Sequence, residues 1–141
     1  MKIEIRTPQV PRNSWVHPPM ADWLKKIGHF QTVHMTFVKK EDDLLKGVEG
    51  RDWVIALDER GDVLSSRQFA QKLQVWIDSG KSRLLFVVGG PFGLPAEVLD
   101  RANARLSLSH FVFNQELALA VLTEQVFRGL SILQNHPYHN D

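Results

Sequence analysis

Residues Leu84–Val88 read LLFVV, five apolar residues in succession, and this run constrains the fold more than any other part of the sequence. A strand with one face in water alternates polar and apolar residues, whereas a strand that is apolar at every position must be covered on both faces. Helices on both sides of a parallel sheet provide that cover. The run therefore predicts an α/β protein with a mostly parallel sheet flanked by helices.

The residues before this run complete a βαβ unit that spans Arg51–Gly90. Trp53–Leu57 (WVIAL) is a second apolar strand, and residues 58–61 (DERG) form a turn after it. Ser65–Gln68 has the sequence of a capping box at a helix start, and Gly80 ends that helix. Two strands joined through a helix lie parallel in one sheet.

The rest of the chain continues the alternation of strands and helices, and its 141 residues have the length of one domain, residues 1–141. We expect further strands at Lys2–Arg6, Phe30–Val38 and Leu106–Phe113, further helices at Ala21–Ile27, Pro95–Ala104 and Gln115–Leu133, a proline-rich loop at residues 8–19, and a short charged helix or loop at residues 39–50.

The composition excludes several classes of protein. Hydrophobic residues make up 43% and charged residues 23%, with a net charge of +1, so neither disorder nor a broad nucleic-acid-coating surface is indicated. Any RNA contact is therefore local. The chain has no cysteine, which removes disulfides and thiolate chemistry. No run is long enough to span a membrane and the N-terminus has no signal-peptide core, so we expect a cytoplasmic protein.

The strand LLFVV is followed by a glycine turn, residues 89–93 (GGPFG). Ligands of open α/β sheets bind at the carboxyl ends of strands, where glycines let the backbone approach them closely. The turn has neither the Lys-Ser/Thr of a phosphate loop nor the glycine spacing of a dinucleotide site, and Pro91 removes one backbone amide. Two interpretations stay open: a site for a ligand without phosphate, or a tight turn that only ends the strand.

The C-terminal part raises two similar choices. Leu117–Leu122 (LALAVL) is apolar on every side of a helix, so either the protein core or a two-fold interface must cover it. The tail, residues 135–141 (NHPYHND), contains His136, Tyr138 and His139. It is either a frayed terminus or a docked segment that brings a proton acceptor to a site, and no metal site is indicated because no third ligand is near.

Five segments taken together resemble the small SPOUT methyltransferases of the RlmH type. They are Ala56–Asp58, the strand and turn FVVGGPFGL at residues 86–94, LSLS at residues 106–109, EQVFRG at residues 124–129, and Pro137-Tyr138-His139. They occur in the family's order between about Trp53 and His139, whereas the first 50 residues match loosely.

The resemblance implies an α/β fold with a C-terminal trefoil knot, a homodimer, and S-adenosylmethionine as cofactor. It implies methylation of N3 of a pseudouridine in the 23S ribosomal RNA of the assembled ribosome. The expected catalytic residues are Arg128, Tyr138 and His139, with the tail folded back over the cofactor pocket and His139 taking a proton or contacting phosphate. The expected cofactor contacts are Leu57, Gly89, Gly90, Leu108, Ser109, His110, Phe111, Val112 and Phe113.

The sequence departs from the family pattern at the start of the last helix. Where the family has Pro-His and, four residues later, Arg, this chain has Asn114, Gln115 and Leu119. A second hypothesis is therefore a knotted protein that binds cofactor or RNA and has lost catalysis. A third is a metal- or nucleotide-dependent hydrolase that uses His136 and His139.

Overall fold

The computed structural model describes residues 1–140, which form one five-stranded sheet with helices on both faces. The strands are β1 (Lys2–Pro8), β2 (Thr32–Val38), β3 (Asp52–Val63), β4 (Arg83–Val87) and β5 (Ala104–Ser107), and the helices are α1 (His17–Ile27), α2 (Ser66–Ile77), α3 (Ala96–Arg101) and α4 (Gln115–Leu133). The strand order is β2-β1-β4-β3-β5, and each neighbouring pair is parallel. The predicted α/β class and parallel sheet are confirmed, and the trefoil knot stays a prediction.

The two faces of β4 belong to two hydrophobic clusters. Leu84 and Phe86 face the larger cluster, which α1, α2 and α4 cover. Leu85 and Val87 face a smaller cluster with Val98 of α3 and Leu44, which follows a 3-10 turn at Glu41–Asp43. This two-sided cover explains why the strand is apolar at every position.

Several boundaries differ from those expected. Helix α1 begins at His17, before the expected Ala21, because prolines at the first positions of a helix lose no intrahelical hydrogen bond. Strand β3 runs to Val63, so the turn expected at residues 58–61 is wrong. The chain bulges there instead, since both Leu57 and Asp62 pair with Leu106.

Strand β5 was expected at Leu106–Phe113 and lies at Ala104–Ser107. The residues after Ser107 leave the sheet because β5 is an edge strand whose pairing with β3 ends at Ser107. Residues 108–113 are therefore a loop, and this loop leads into α4.

Helix α4 packs between α1 and α2, and the core covers most of its apolar surface. Gly129 permits the close approach to α2, since a Cβ there would lie 2.6 Å from Leu73 Cδ1. Leu119 has no exposed surface and belongs to this core, where an unpaired charge would be costly. Among residues 1–140, no helix combines the length and apolar character needed to cross a bilayer.

Four charged side chains form a buried network on the face of the sheet that carries Leu85 and Val87. Arg83 donates to both carboxylate oxygens of Asp52 and to Glu4, each at 2.9 Å, and Arg6 donates to Glu4 at 2.8 Å. Arg6 also donates to the carbonyl oxygens of Leu44 and Lys46. The network thus joins β1, β3 and β4 to the segment that covers this face.

Candidate active site

A cavity of about 500 Å³ opens at the carboxyl ends of β3, β4 and β5. Three loops line it: residues 57–60 in the bulge of β3, residues 88–94 with the glycine turn, and residues 106–113 after β5. Leu99 of α3 and Gln115 and Ala118 from the first turn of α4 complete the lining. The position is the usual ligand site of an open α/β sheet, and the volume is that of a small-molecule site.

The glycine turn depends on two of its glycines for different reasons. Gly93 has a φ of +80°, which favours glycine, and its amide donates to the Gly90 carbonyl at 3.0 Å. A Cβ on Gly89 would lie 2.5 Å from the carbonyl carbon of Gly93, so the turn closes only without a side chain there. A Cβ on Gly90 would meet only the Pro8 side chain, at an ordinary 3.6 Å.

The structure brings together most of the residues expected to contact the cofactor. Phe111 and Val112 are 80% and 74% exposed and form part of the open mouth of the cavity. His110 is exposed and does not line it. The expected residues that do line the cavity are Leu57, Gly89, Gly90, Leu108, Ser109, Phe111, Val112 and Phe113.

Several polar residues that were not among the expected cofactor contacts also line this cavity, and Asp58 and Gln115 are two of them. Asp58 accepts a weak contact from Arg60 at one carboxylate oxygen, while the other, Oδ2, is buried and has no hydrogen-bond partner among the described residues. Gln115 donates from its side-chain amide to Thr7 Oγ1 at 3.0 Å and to the Pro8 carbonyl at 2.7 Å. The available signals were, for Asp58, a carboxylate directly after a buried strand and, for Gln115, its place where the family pattern has histidine.

The expected catalytic residues meet each other but not the cavity. Arg128 donates to Glu124 at 2.7 Å and to His139 Nδ1 at 2.9 Å, and its guanidinium lies 4.8 Å from the Tyr138 ring centre. The Tyr138 hydroxyl donates to Glu124 at 3.3 Å. We call these four residues the tail cluster. The tail is therefore docked on α4 and does not line the cavity of the same chain, and its expected place over the cofactor pocket stays a prediction.

Aromatic packing holds the tail in place. The Tyr138 ring lies edge-on to Phe127 at 4.8 Å and to Trp23 at 5.9 Å, and the His136 ring lies 6.1 Å from Phe30. The tail thus buries apolar surface between α1 and α4, which a frayed terminus does not do.

The tail cluster has a defined protonation pattern. Burial raises the pKa of the Tyr138 hydroxyl, and the negative charge of Glu124 raises this pKa further, so Tyr138 is a hydrogen-bond donor at neutral pH. A guanidinium can only donate, so His139 Nδ1 accepts from Arg128 and its lone pair is engaged.

The described residues 1–140 contain no group of three or more histidine, aspartate or glutamate side chains arranged to hold a metal ion. The two histidines of the tail have different contacts: the His136 ring packs against Phe30, and His139 accepts a hydrogen bond from Arg128. The structure gives the metal-dependent hydrolase hypothesis no supporting geometry.

This chain is similar in sequence to known methyltransferases. A family model described as "Predicted SPOUT methyltransferase" matches residues 1–139. The "Ribosomal RNA large subunit methyltransferase H" of Christiangramia forsetii is 40% identical over 102 residues, which is 72% of this chain and just under two thirds (65%) of that protein. The protein of the same name from Anaeromyxobacter sp. (strain K) is 34% identical and aligns over 99% of both chains.

Solved structures show the same fold at low identity. The structure of a probable methylase family protein from Haemophilus influenzae Rd KW20 matches 99% of this chain and 70% of its own, with a TM-score of 0.62 and 15% identity. At that identity the likeness concerns the fold alone.

Proposed function

This chain belongs to the SPOUT methyltransferase family, and from that premise we propose that it transfers a methyl group from S-adenosylmethionine to N3 of a pseudouridine in 23S ribosomal RNA of the assembled ribosome. The observation that carries the proposal is the cavity between the glycine turn and residues 106–113. The names of the relatives, ribosomal RNA large subunit methyltransferase H, support the choice of substrate.

The residues around the cavity fit S-adenosylmethionine. The cofactor has no phosphate, and Pro91 interrupts the backbone amides that a phosphate cradle requires. Leu57, Leu106 and Leu108 provide an apolar lining for adenine and ribose. Asp58 lines the cavity, and the negative charge of its carboxylate suits a cationic cofactor.

When bound, the cofactor supplies an electrophilic methyl group on a sulfonium sulfur. The work left to the protein is to hold the acceptor nitrogen in line with that methyl group, to exclude water, and to receive the N3 proton. The glycine turn and residues 108–113 would enclose the cofactor. The tail cluster would provide an oriented hydroxyl donor at Tyr138, a cation at Arg128 and an imidazole at His139.

A homodimer reconciles the cavity with the position of the tail. Gln115 lines the cavity and Arg128 follows 13 positions later on α4, which is about 20 Å along a helix. Antiparallel packing of α4 against its copy would bring the tail cluster of one subunit towards the cavity of the other. Leu117, Phe111 and Val112 expose apolar surface beside the cavity and would be covered by such a partner.

The same proposal includes the trefoil knot, a single domain over residues 1–141, and a cytoplasmic location with the ribosome. One sheet with helices on both faces supports the single domain.

The test is to incubate the purified protein with ribosomes and S-adenosylmethionine labelled in its methyl group, and to analyse nucleosides from the 23S RNA. We expect labelled N3-methylpseudouridine. Calorimetry with S-adenosylmethionine is run beside it. Cofactor binding without any methyl transfer would contradict the proposal and favour a binding protein that has lost catalysis, the hypothesis raised by Gln115 and Leu119.

A further inference from the structure

A second cavity, of about 370 Å³, lies at the carboxyl ends of β1 and β2. It is lined by Gln9, Val10, Arg12, His17 and Phe37, none of which belongs to the site described above. The loop between β1 and α1, residues 9–16, forms one wall, and β2 forms the other. The backbone N–H of Gln9 donates to the Val38 carbonyl at 3.1 Å, which joins the start of the loop to the end of β2.

A single residue of β1 separates this second cavity from the cofactor cavity. The Pro8 side chain lies beside Gly90, because a Cβ placed on Gly90 would be 3.6 Å from Pro8 Cγ. The Pro8 carbonyl oxygen accepts a hydrogen bond from the Gln115 side chain at 2.7 Å. Gly90 and Gln115 line the first cavity, and Gln9, the next residue after Pro8, lines the second. The two cavities are therefore neighbours, so that one strand of RNA can reach both.

The side chains of the second cavity suit a nucleotide. The Arg12 side chain is exposed and forms no ion pair with any of the residues 1–140, so it is available to a phosphate. The His17 and Phe37 rings lie edge to face, 5.7 Å apart, and offer surfaces on which a base can stack. Gln9 carries an amide that both donates and accepts, as base edges require. The described lining contains no carboxylate that would repel RNA.

The loop that carries these groups is fixed before any ligand arrives. His17 Nε2 donates to the Pro11 carbonyl at 3.0 Å, which orients the ring. The Ser14 hydroxyl donates to Glu116 in the first turn of α4, and Val16 is fully buried. A loop held in this way loses little conformational entropy on binding.

We infer that the second cavity binds a nucleotide of the substrate RNA adjacent to the one that is methylated. Arg12 contacts its phosphate, and His17 and Phe37 stack on its base. The inference rests on the proposed function, because it takes the RNA substrate as given and names where a second nucleotide of that RNA lies.

The experiment compares Arg12→Ala with Lys2→Ala, which removes the same charge at the opposite end of β1, about 20 Å away. The affinity of each protein for purified ribosomes is measured at several salt concentrations. We expect Arg12→Ala to weaken binding roughly tenfold and to reduce the salt slope by about one, and Lys2→Ala to change neither appreciably.

A second variant, Phe37→Leu, tests stacking apart from charge. It should weaken ribosome binding by a similar factor and leave the salt slope unchanged, because no phosphate contact is lost. Thermal unfolding and the affinity for S-adenosylmethionine are measured on each variant, and both should match the wild type. If Phe37→Leu fails to fold, the Arg12 comparison still decides.

The outcomes separate this inference from the proposed function. If the wild type methylates ribosomes but Arg12→Ala binds them like Lys2→Ala, the second cavity does not bind RNA and the proposed function stands. If Arg12→Ala and Phe37→Leu weaken binding but no protein methylates, the second cavity stands and the proposed function is wrong. A wild type that does not bind ribosomes overturns both.

Discussion

Asp58 lines the candidate cavity, and one of its carboxylate oxygens, Oδ2, is buried and has no hydrogen-bond partner among the described residues. We expect Asp58→Asn to lower the affinity for S-adenosylmethionine roughly tenfold, because a hydrogen bond to a charged group is lost. Calorimetry measures this change. Glu59→Gln is the matched control, since Glu59 is exposed at the same cavity and should change affinity less than about twofold. Equal affinities for the two variants would rule out a role for Asp58.

Two adjacent glycines offer a second comparison at the scale of residues. In Gly89→Ala the new methyl group would meet backbone at 2.5 Å, so the turn must open. We expect a loss of about 1–3 kcal/mol in the free energy of unfolding and a cofactor affinity reduced by more than about tenfold. In Gly90→Ala the nearest atom is at 3.6 Å, and both quantities should stay near the wild-type values. Denaturation measures the free energy of unfolding, and calorimetry measures the cofactor affinity. If Gly89→Ala and Gly90→Ala had similar values of both quantities, the described turn would be contradicted.

Among the elements, the tail is the one whose state the sequence left open. Tyr138→Ala removes a ring that packs on Phe127 and Trp23, and we expect it to lower the free energy of unfolding by about 2 kcal/mol. Tyr138→Phe keeps the ring and loses only the hydroxyl bond to Glu124, so it should cost about 1 kcal/mol or less. Urea denaturation distinguishes them. A frayed tail would leave both variants as stable as the wild type.

The buried network between β1, β3 and β4 makes stability depend on pH. Burial by itself would raise the pKa of Glu4 and Asp52, but hydrogen bonds and charges of Arg6 and Arg83 outweigh it and hold the pKa values below the ordinary 4.5 and 3.8. Because the folded pKa values are lower than the unfolded ones, the network stabilises the fold above those ordinary values. This stabilisation is lost as the pH falls through the folded values.

We therefore expect the free energy of unfolding to decline below about pH 4.5 and the decline to be smaller in Asp52→Asn. At neutral pH, Asp52→Asn should be destabilised by about 3 kcal/mol because Arg83 loses a buried partner. Asp22→Asn, which breaks an exposed ion pair with Lys26, is the control and should cost about 0.5 kcal/mol or less. Denaturation at several pH values tests this, and identical acid profiles for Asp52→Asn and the wild type would contradict it.

At the scale of the whole molecule, the proposed dimer predicts that two inactive variants restore activity to each other. Gly89→Ala damages the cofactor cavity, and Tyr138→Ala damages the tail cluster. If one subunit's tail serves the other's cavity, a mixed dimer retains one intact site, so mixing equal amounts should recover about a quarter of wild-type methyl transfer from statistical pairing. Sedimentation should give twice the chain mass of 16.1 kDa. A monomer, or a mixture as inactive as its parts, would contradict the shared site.

The sequence by itself determined the class of fold and predicted where a ligand cavity would lie. A strand such as LLFVV has only one stable environment, with cover on both faces, and βαβ units join parallel strands in one way. The carboxyl ends of β3, β4 and β5 then had to lie together, which is why the residues expected from Leu57 to Phe113 line one cavity with the single exception of His110.

Only the tertiary structure decided the positions of the tail, of Asp58 and of Leu119. Sequence spacing does not tell whether residues 135–140 pack on α4 or reach the cavity, because that depends on contacts with Trp23 and Phe127, which are distant in sequence. The burial of Leu119 and the unpartnered oxygen of Asp58 likewise arise from packing between distant elements. Local pattern fixes which backbone forms, whereas long-range packing fixes which side chains are left facing a ligand.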